Sequence, residues 1–396
     1  MNQTALAFDD HRLPAARPGA MTAPRTAAAP AGWLCQDPPT DPMAAGHAIG
    51  WDHARHGLVP PAEHLLPGHP VREGWEAGRA RFGTRTLPAR RATRRWLQLR
   101  LLAWQQGRSF EEVQLTPNFL AQIDTDRCPI TRQPLSHDGT AEHAAEVVRV
   151  YHAAGYAAGN LATLSRRASQ AKAGLRWDDA RLQAVLAQSR ADGQAQGLSA
   201  AAWARLSVLM SFVTPLPHEL AATLPLLVLP PNRLRLLNPI QGLQALITRQ
   251  LMQSGYAARI ARLVSCLPSA ALRRDFHLFF HGLLPRAWDG GRAADAQTLR
   301  ERLEDAWQHP MVLRRWQRFA GQLSAEQAQA LLDRAVALGL GGVGVQRHAD
   351  EAATEGWALA SGGLLPPPAA ARPAAAPRLH LLATRPAPGP ASHCHT

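Results

Sequence analysis

The sequence predicts a mainly α protein, a multi-helical body with one small ββα unit set into it, and three observations carry that reading. Across residues 177–340 apolar side chains recur at helical spacing, with no strand pattern between them. Helix-start signals punctuate the run: Ser199, Asn238-Pro239, and the capping-box spacing of Ser324 and Gln327. Over residues 126–174 the character changes. Gly155, Gly159 and Asn160 mark tight turns or positive-φ positions, and residues 161–164 read as a short strand running into a basic helix.

Composition bounds the rest. At 396 residues the chain is long enough for two domains or for one large domain with an appendage, and hydrophobic residues at 46% supply a core, which excludes wholesale disorder. The formal charge of +13 points to a polyanionic partner, nucleic acid first. Lys172 is the single lysine, so arginine carries nearly all the positive charge, and with abundant Ala, Pro and Gly this also reads as a coding bias. Cys35, Cys128, Cys266 and Cys394 share no short metal-ligand spacing and form no tight disulfide framework, so a reducing cytoplasm is the expected compartment. No run approaches the roughly 18 apolar residues that cross a bilayer, and no signal-peptide core opens the chain, so no membrane is expected.

Taken in order, residues 1–45 read as a flexible leader rich in Ala, Pro, Thr and Gly. Residues 46–125 form a His/Arg-rich region with helices. Its first part carries His47, His53, His56, His64 and His69 and is expected to fold irregularly, pinned by Trp51 and Trp75. His53 and His56 have a spacing that could hold a metal, but no further ligand stands nearby. Arginine then dominates, and a helix from Pro88 to Gly107 would put Arg90, Arg91, Arg94 and Arg95 on a common face or its flanks. Thr116-Pro117 caps a further short helix.

Residues 126–174 form the small module, and 175–345 a helical domain. In that domain Leu182, Val185 and Leu186 share one side of a helix over 177–191, and residues 220–229 form an apolar segment closed by Pro230-Pro231. His277 and His281 share a helix side among Phe276, Phe279 and Phe280 and read as packing. Residues 346–396, rich in Pro, Ala, Arg and Leu, read as a mostly disordered tail.

Within the module, Cys128-Pro129-Ile130-Thr131 is followed by Val148-Arg149-Val150, by Gly155-Tyr156-Ala157-Ala158-Gly159-Asn160 and by Arg167-Ala168-Ser169-Gln170-Ala171-Lys172. That order resembles the HNH endonuclease family, in the branch built on a ββα-metal core, and the resemblance spans residues 126–174. It implies an HNH-like ββα module. Arg149, Gly155, Tyr156, Gly159, Asn160, Arg167, Ala168 and Lys172 stand where the family pattern places them. The family's strand acid falls on Val148, its next acidic position on Tyr151 and its helix asparagine on Ser169. What matches is mainly scaffold, and what is missing is mainly chemistry. Cys128, Gly155, Tyr156, Gly159 and Asn160 are accordingly fold-determining: Cys128 a small buried side chain, the Tyr156 ring packed on a helix, the Asn160 amide pinning the turn.

Three functional readings follow. The first is a nucleic-acid-binding protein, with duplex DNA as partner, on a module that has lost catalysis. Its phosphate contacts would be Arg90, Arg91, Arg94, Arg95, Arg149, Arg166, Arg167 and Lys172. The second is an active endonuclease with displaced ligands, in which His143, Glu146 and His152 do the chemistry around a divalent metal such as magnesium, the only reading that requires a cofactor. The third is a helical interaction or structural protein, with its arginines scattered or paired with acids.

Overall fold

A computed structural model describes residues 41–137, 141–288, 291, 293, 295–341 and 353–365. The mainly helical reading holds, and two small antiparallel sheets of two strands each interrupt the helices.

The first helices correct an expectation. The histidine-rich stretch is two helices, α1 (Pro42–Arg55) and α2 (Pro70–Phe82), capped by the Asp41 carboxylate and by His69. They pack on each other through glycines: a β-carbon on Gly50 would sit 1.9 Å from the Val71 carbonyl oxygen, and one on Gly74 1.9 Å from that of His47. The glycines and histidines that weaken a helical pattern are what let these axes approach. Trp75 does pin the connection, donating to the Leu58 carbonyl at 2.9 Å.

Helix α3 (Arg91–Gln105) starts at Arg90 rather than Pro88 and buries Leu97, Leu99, Leu101 and Ala103. In α4 (Pro117–Gln122) the Thr116 hydroxyl accepts from the Phe119 amide at 3.3 Å, as the Thr-Pro signal predicts. Next comes the ββα unit: β1 (Ala145–Arg149) pairs antiparallel with β2 (Leu161–Ser165), and α5 (Arg166–Lys172) follows directly, capped by Ser165. Glu146 faces Leu164 and Val148 faces Ala162 in the register. Every residue of β2 is buried, so the strand is inside the body.

Helix α6 (Trp177–Ser189) follows, and here the sequence reading inverts. Leu182, Val185 and Leu186 do share a face, but they are 57%, 57% and 43% exposed; the buried side is Trp177, Ala180, Ala184 and Ala187. Alanines let α6 lie close on α7 (Ala200–Phe212), so the small residues rather than the large ones make the contact. The short hairpin of β3 (Gln194–Ala195) and β4 (Leu198–Ser199) is a second correction, because no strand was expected past 175. Two-residue strands carry no periodicity to detect.

Helix α8 (His218–Thr223) leads into the buried apolar segment, and α9 (Pro239–Leu251) runs through the core. Its buried polar side chains are satisfied: Asn238 donates to the carbonyls of Ser211 and Thr214, Gln241 to the Ser211 hydroxyl, and Gln244 to the Leu224 carbonyl. The remaining helices are α10 (Tyr256–Ser265), α11 (Ala270–Ala287), α12 (Ala296–Ala306), α13 (Pro310–Ala320) and α14 (Ala325–Ala337), the last opened by the Ser324–Gln327 capping box.

One apolar cluster joins Cys128, Ile130, Val150, Ala162 and Leu164 of the module to the helices and to Trp357. The ββα unit is therefore part of the main core, and so is a piece of the expected tail. Residues 353–365 are ordered against it, with Trp357 fully buried and its indole donating to the Ala158 carbonyl at 3.1 Å. Of the expected leader over residues 1–45, residues 1–40 lie outside the described residues, while its end is corrected, since Asp41 caps α1 and Pro42 begins it; the chain beyond 365 also lies outside the described residues. No helix among the described residues is long and apolar enough to cross a membrane.

Candidate functional site

The turn between β1 and β2 sets the geometry. Asn160 is fully buried; its Oδ1 accepts from the Tyr151 amide at 2.7 Å and its Nδ2 donates to the Tyr151 and Gly155 carbonyls, both at 3.1 Å. The amide thus pins the turn as its place in the sequence suggests. Gly159 has φ +87°, where a side chain would be strained, and a β-carbon there would lie 2.3 Å from Arg235 Cγ. Gly155 has a different reason: it meets the Ser109 backbone, at 2.9 Å from a would-be β-carbon. Cys128 is 1% exposed, and its sulfur accepts from the Ser165 amide at 3.3 Å. It is a buried side chain at the foot of α5.

Beside this turn lies a cleft of about 850 Å³, lined by α3, β1, α5 and the chain after each of them. Arg149 ends β1 and is 8% exposed. Its Nη1 donates to the carbonyls of His152 and Ala154 at 2.8 Å each, and its guanidinium lies 5.0 Å from the centre of the Tyr156 ring. Lys172 ends α5 and is 2% exposed. Burial, then the neighbouring Arg149, lowers its pKa to about 8. His152 is pushed down to about 4 by burial, then by Arg149, Lys172 and Arg108, so its ring is neutral at pH 7. Arg95 and Arg108 also line the cleft.

Among the described residues no carboxylate figures in the charges acting on Arg149, Lys172 or His152. Glu146 lines the same space, but it is held by Arg166 at 2.7 Å. A site with buried cations and no buried anion to answer them favours a negative ligand, and a phosphate oxygen fits that requirement.

The other expected contacts are placed differently. Arg91 and Arg95 both bond to Asp124, at 2.7 and 2.8 Å, and Arg91 also contacts His137. Arg94 is exposed and turns back to the Ala89 carbonyl at 3.2 Å, while Arg90 is exposed at the start of α3. Arg167 contacts Glu142 at 3.7 Å, the Gln194 side chain at 3.2 Å and the Gly197 carbonyl. Pairing with acids is what a purely structural role predicts for arginines, and it applies to Arg91, Arg95, Arg166 and Arg167. The cations free of carboxylates that share one cleft are Arg149, Lys172 and Arg108.

Of the three residues expected to carry out hydrolysis, Glu146 and His152 line the cleft, and His143 is exposed with its backbone carbonyl accepting from Ser136. Among the described residues no group of three or more His, Cys, Asp and Glu side chains is placed to hold a metal ion. Arg108 is the cleft residue that sequence reading passed over. It sits in a connection just after Gly107 rather than on a helix face, where a charge pattern would have marked it. No family model, curated protein or solved structure matches the chain.

Proposed function

We propose that this is a nucleic-acid-binding protein whose HNH-like module uses the cleft to take a strand phosphate on Arg149 and Lys172, rather than to hydrolyse it around a metal. The observation that carries the reading is the presence of two buried cations in one cleft with no carboxylate among the described residues acting on either. Burying an uncompensated charge is costly, and a bound anion relieves both at once. The duplex-DNA expectation belongs to this reading, since phosphate contacts of this kind position a strand without reading its sequence. Burial first, then the positive charges of Arg149, Lys172 and Arg108, hold His152 near 4, and those charges support the reading against the endonuclease alternative, because they repel a divalent cation from Glu146 and His152.

The test is anisotropy of a labelled duplex over a salt series. Log affinity should fall linearly with log salt, with a slope of about −2 to −3 for two or three phosphates neutralised. Lys172→Met and Arg149→Met should each flatten that slope by about 1, uniformly across sequences. Binding absent at roughly physiological salt, or insensitive to salt, sinks the proposal in favour of the helical structural reading.

A further inference from the structure

Lys172 is the single lysine in a chain that writes every other permanent side-chain cation as arginine. The two residues differ in chemistry as well as shape: a lysine amine can give up its proton and attack carbon, which a guanidinium in a protein does not. The placement favours that use. The side chain ends a helix and lines an open cleft, beside Arg149, and no acid holds it protonated. Burial and a neighbouring cation are established ways of lowering a lysine's pKa toward neutrality; here burial first, then Arg149, lowers it to about 8, so a fraction of the amine is unprotonated near neutral pH. Arg149 and Arg108 supply a place for a phosphate next to the amine.

We infer that Lys172 is an imine-forming nucleophile for an aldehyde that carries a phosphate, which in a nucleic-acid strand is the ring-opened form of a sugar that has lost its base. The neutral amine adds to the aldehyde carbon. A nitrogen–carbon bond forms, the carbonyl pair moves to oxygen, and the amine's proton passes to that oxygen. Loss of water then leaves the imine, so no oxidant or reductant is consumed. Arg149 and Arg108 hold the flanking phosphate. The inference rests on the nucleic-acid reading for the source of the aldehyde, and on the cleft alone for the chemistry.

The full chain is incubated with a duplex carrying one base-less site and treated with borohydride, and the reduced adduct is mapped by peptide mass. Only Lys172 and the chain's amino terminus offer an amine, so the map is unambiguous. The expected result is an adduct on Lys172, lowered about tenfold or more in Lys172→Arg, which keeps the charge. Mapping on the unaltered chain needs no variant to fold.

An adduct confined to the amino terminus, or none at all while intact duplex still binds, overturns the inference and leaves the binding proposal standing. If intact duplex does not bind, the second arm decides, with pyridoxal 5′-phosphate and pyridoxal as probes. Preferential trapping of the phosphorylated probe on Lys172 keeps the imine site and removes the nucleic-acid source. Equal or absent trapping of the two removes the site as well.

Discussion

Helix α3 and the end of β1 both bring arginine to the cleft, and they treat its charge in opposite ways. On α3 the charge is dense in the sequence and largely spoken for in space: Asp124 answers Arg91 and Arg95, and Asp52 and Glu112 answer Arg100. Arg149 and Lys172 are 23 positions apart in the chain (172 − 149), yet both are buried and neither has an acid. Charge available to a ligand is thus a property of pairing rather than of density. An exposed ion pair contributes little and screens easily, whereas an unanswered buried cation is held at a cost that a ligand can offset.

The largest test of that contrast is Arg149→Met. It should flatten the salt slope by about 1 and also lower stability by roughly 2–4 kcal/mol, since two buried carbonyls, of His152 and Ala154, lose their donor. Urea unfolding measures the second effect. Lys172→Met should separate the two properties, flattening the salt slope by the same amount while gaining about 1–3 kcal/mol of stability at pH 7.

The sign follows from linkage. The folded pKa of Lys172 is about 8, below its ordinary value of 10.5, so between those values the unfolded chain holds more protons. Stability of the unaltered protein should therefore rise as pH climbs through that window, and the advantage of the methionine variant should shrink with it. Charged groups facing Lys172 across the cleft are Arg149, His152, Arg108 and Arg95, with Glu146 held by Arg166. A variant less stable than the parent at pH 7 breaks the contrast, for it means the amine is held by something other than a ligand's absence.

On the α3 side, Asp124→Asn should release Arg91 and Arg95, steepening the salt slope by about 1 while lowering stability by roughly 0.5–1 kcal/mol. The smallest effect belongs to Arg90→Ala with Arg94→Ala, which should change stability by less than about 0.5 kcal/mol and leave the slope nearly unaltered. A large loss of binding there would return the interface to the dense arginine face.

Much of the fold was legible because it rests on local rules. Thr116, Ser199 and Ser324 cap helices where their hydroxyls are placed to do so, and Asn160 holds its turn through atoms within nine positions of it. Arg149 and Lys172 were legible as cations of the module. Their burial was not, because it depends on how α3, β1 and α5 come together around one cleft. Leu182, Val185 and Leu186 show the converse: helical spacing identified their shared face, but alanine packing on α7 decided that it would be the outer one. Glycine contacts between α1 and α2, and the docking of Trp357, depend on a partner segment that periodicity within one window cannot supply.

Trp357 has a consequence for how the protein is made. Its indole reaches the Ala158 carbonyl across 199 positions, and its own carbonyl accepts from the Gly155 amide at 2.8 Å. On a ribosome the loop holding Tyr156 and Asn160 emerges long before the segment that closes over it. The cation-bearing hollow should then mature only once the segment around Trp357 has been made, some 200 residues after the loop it closes over.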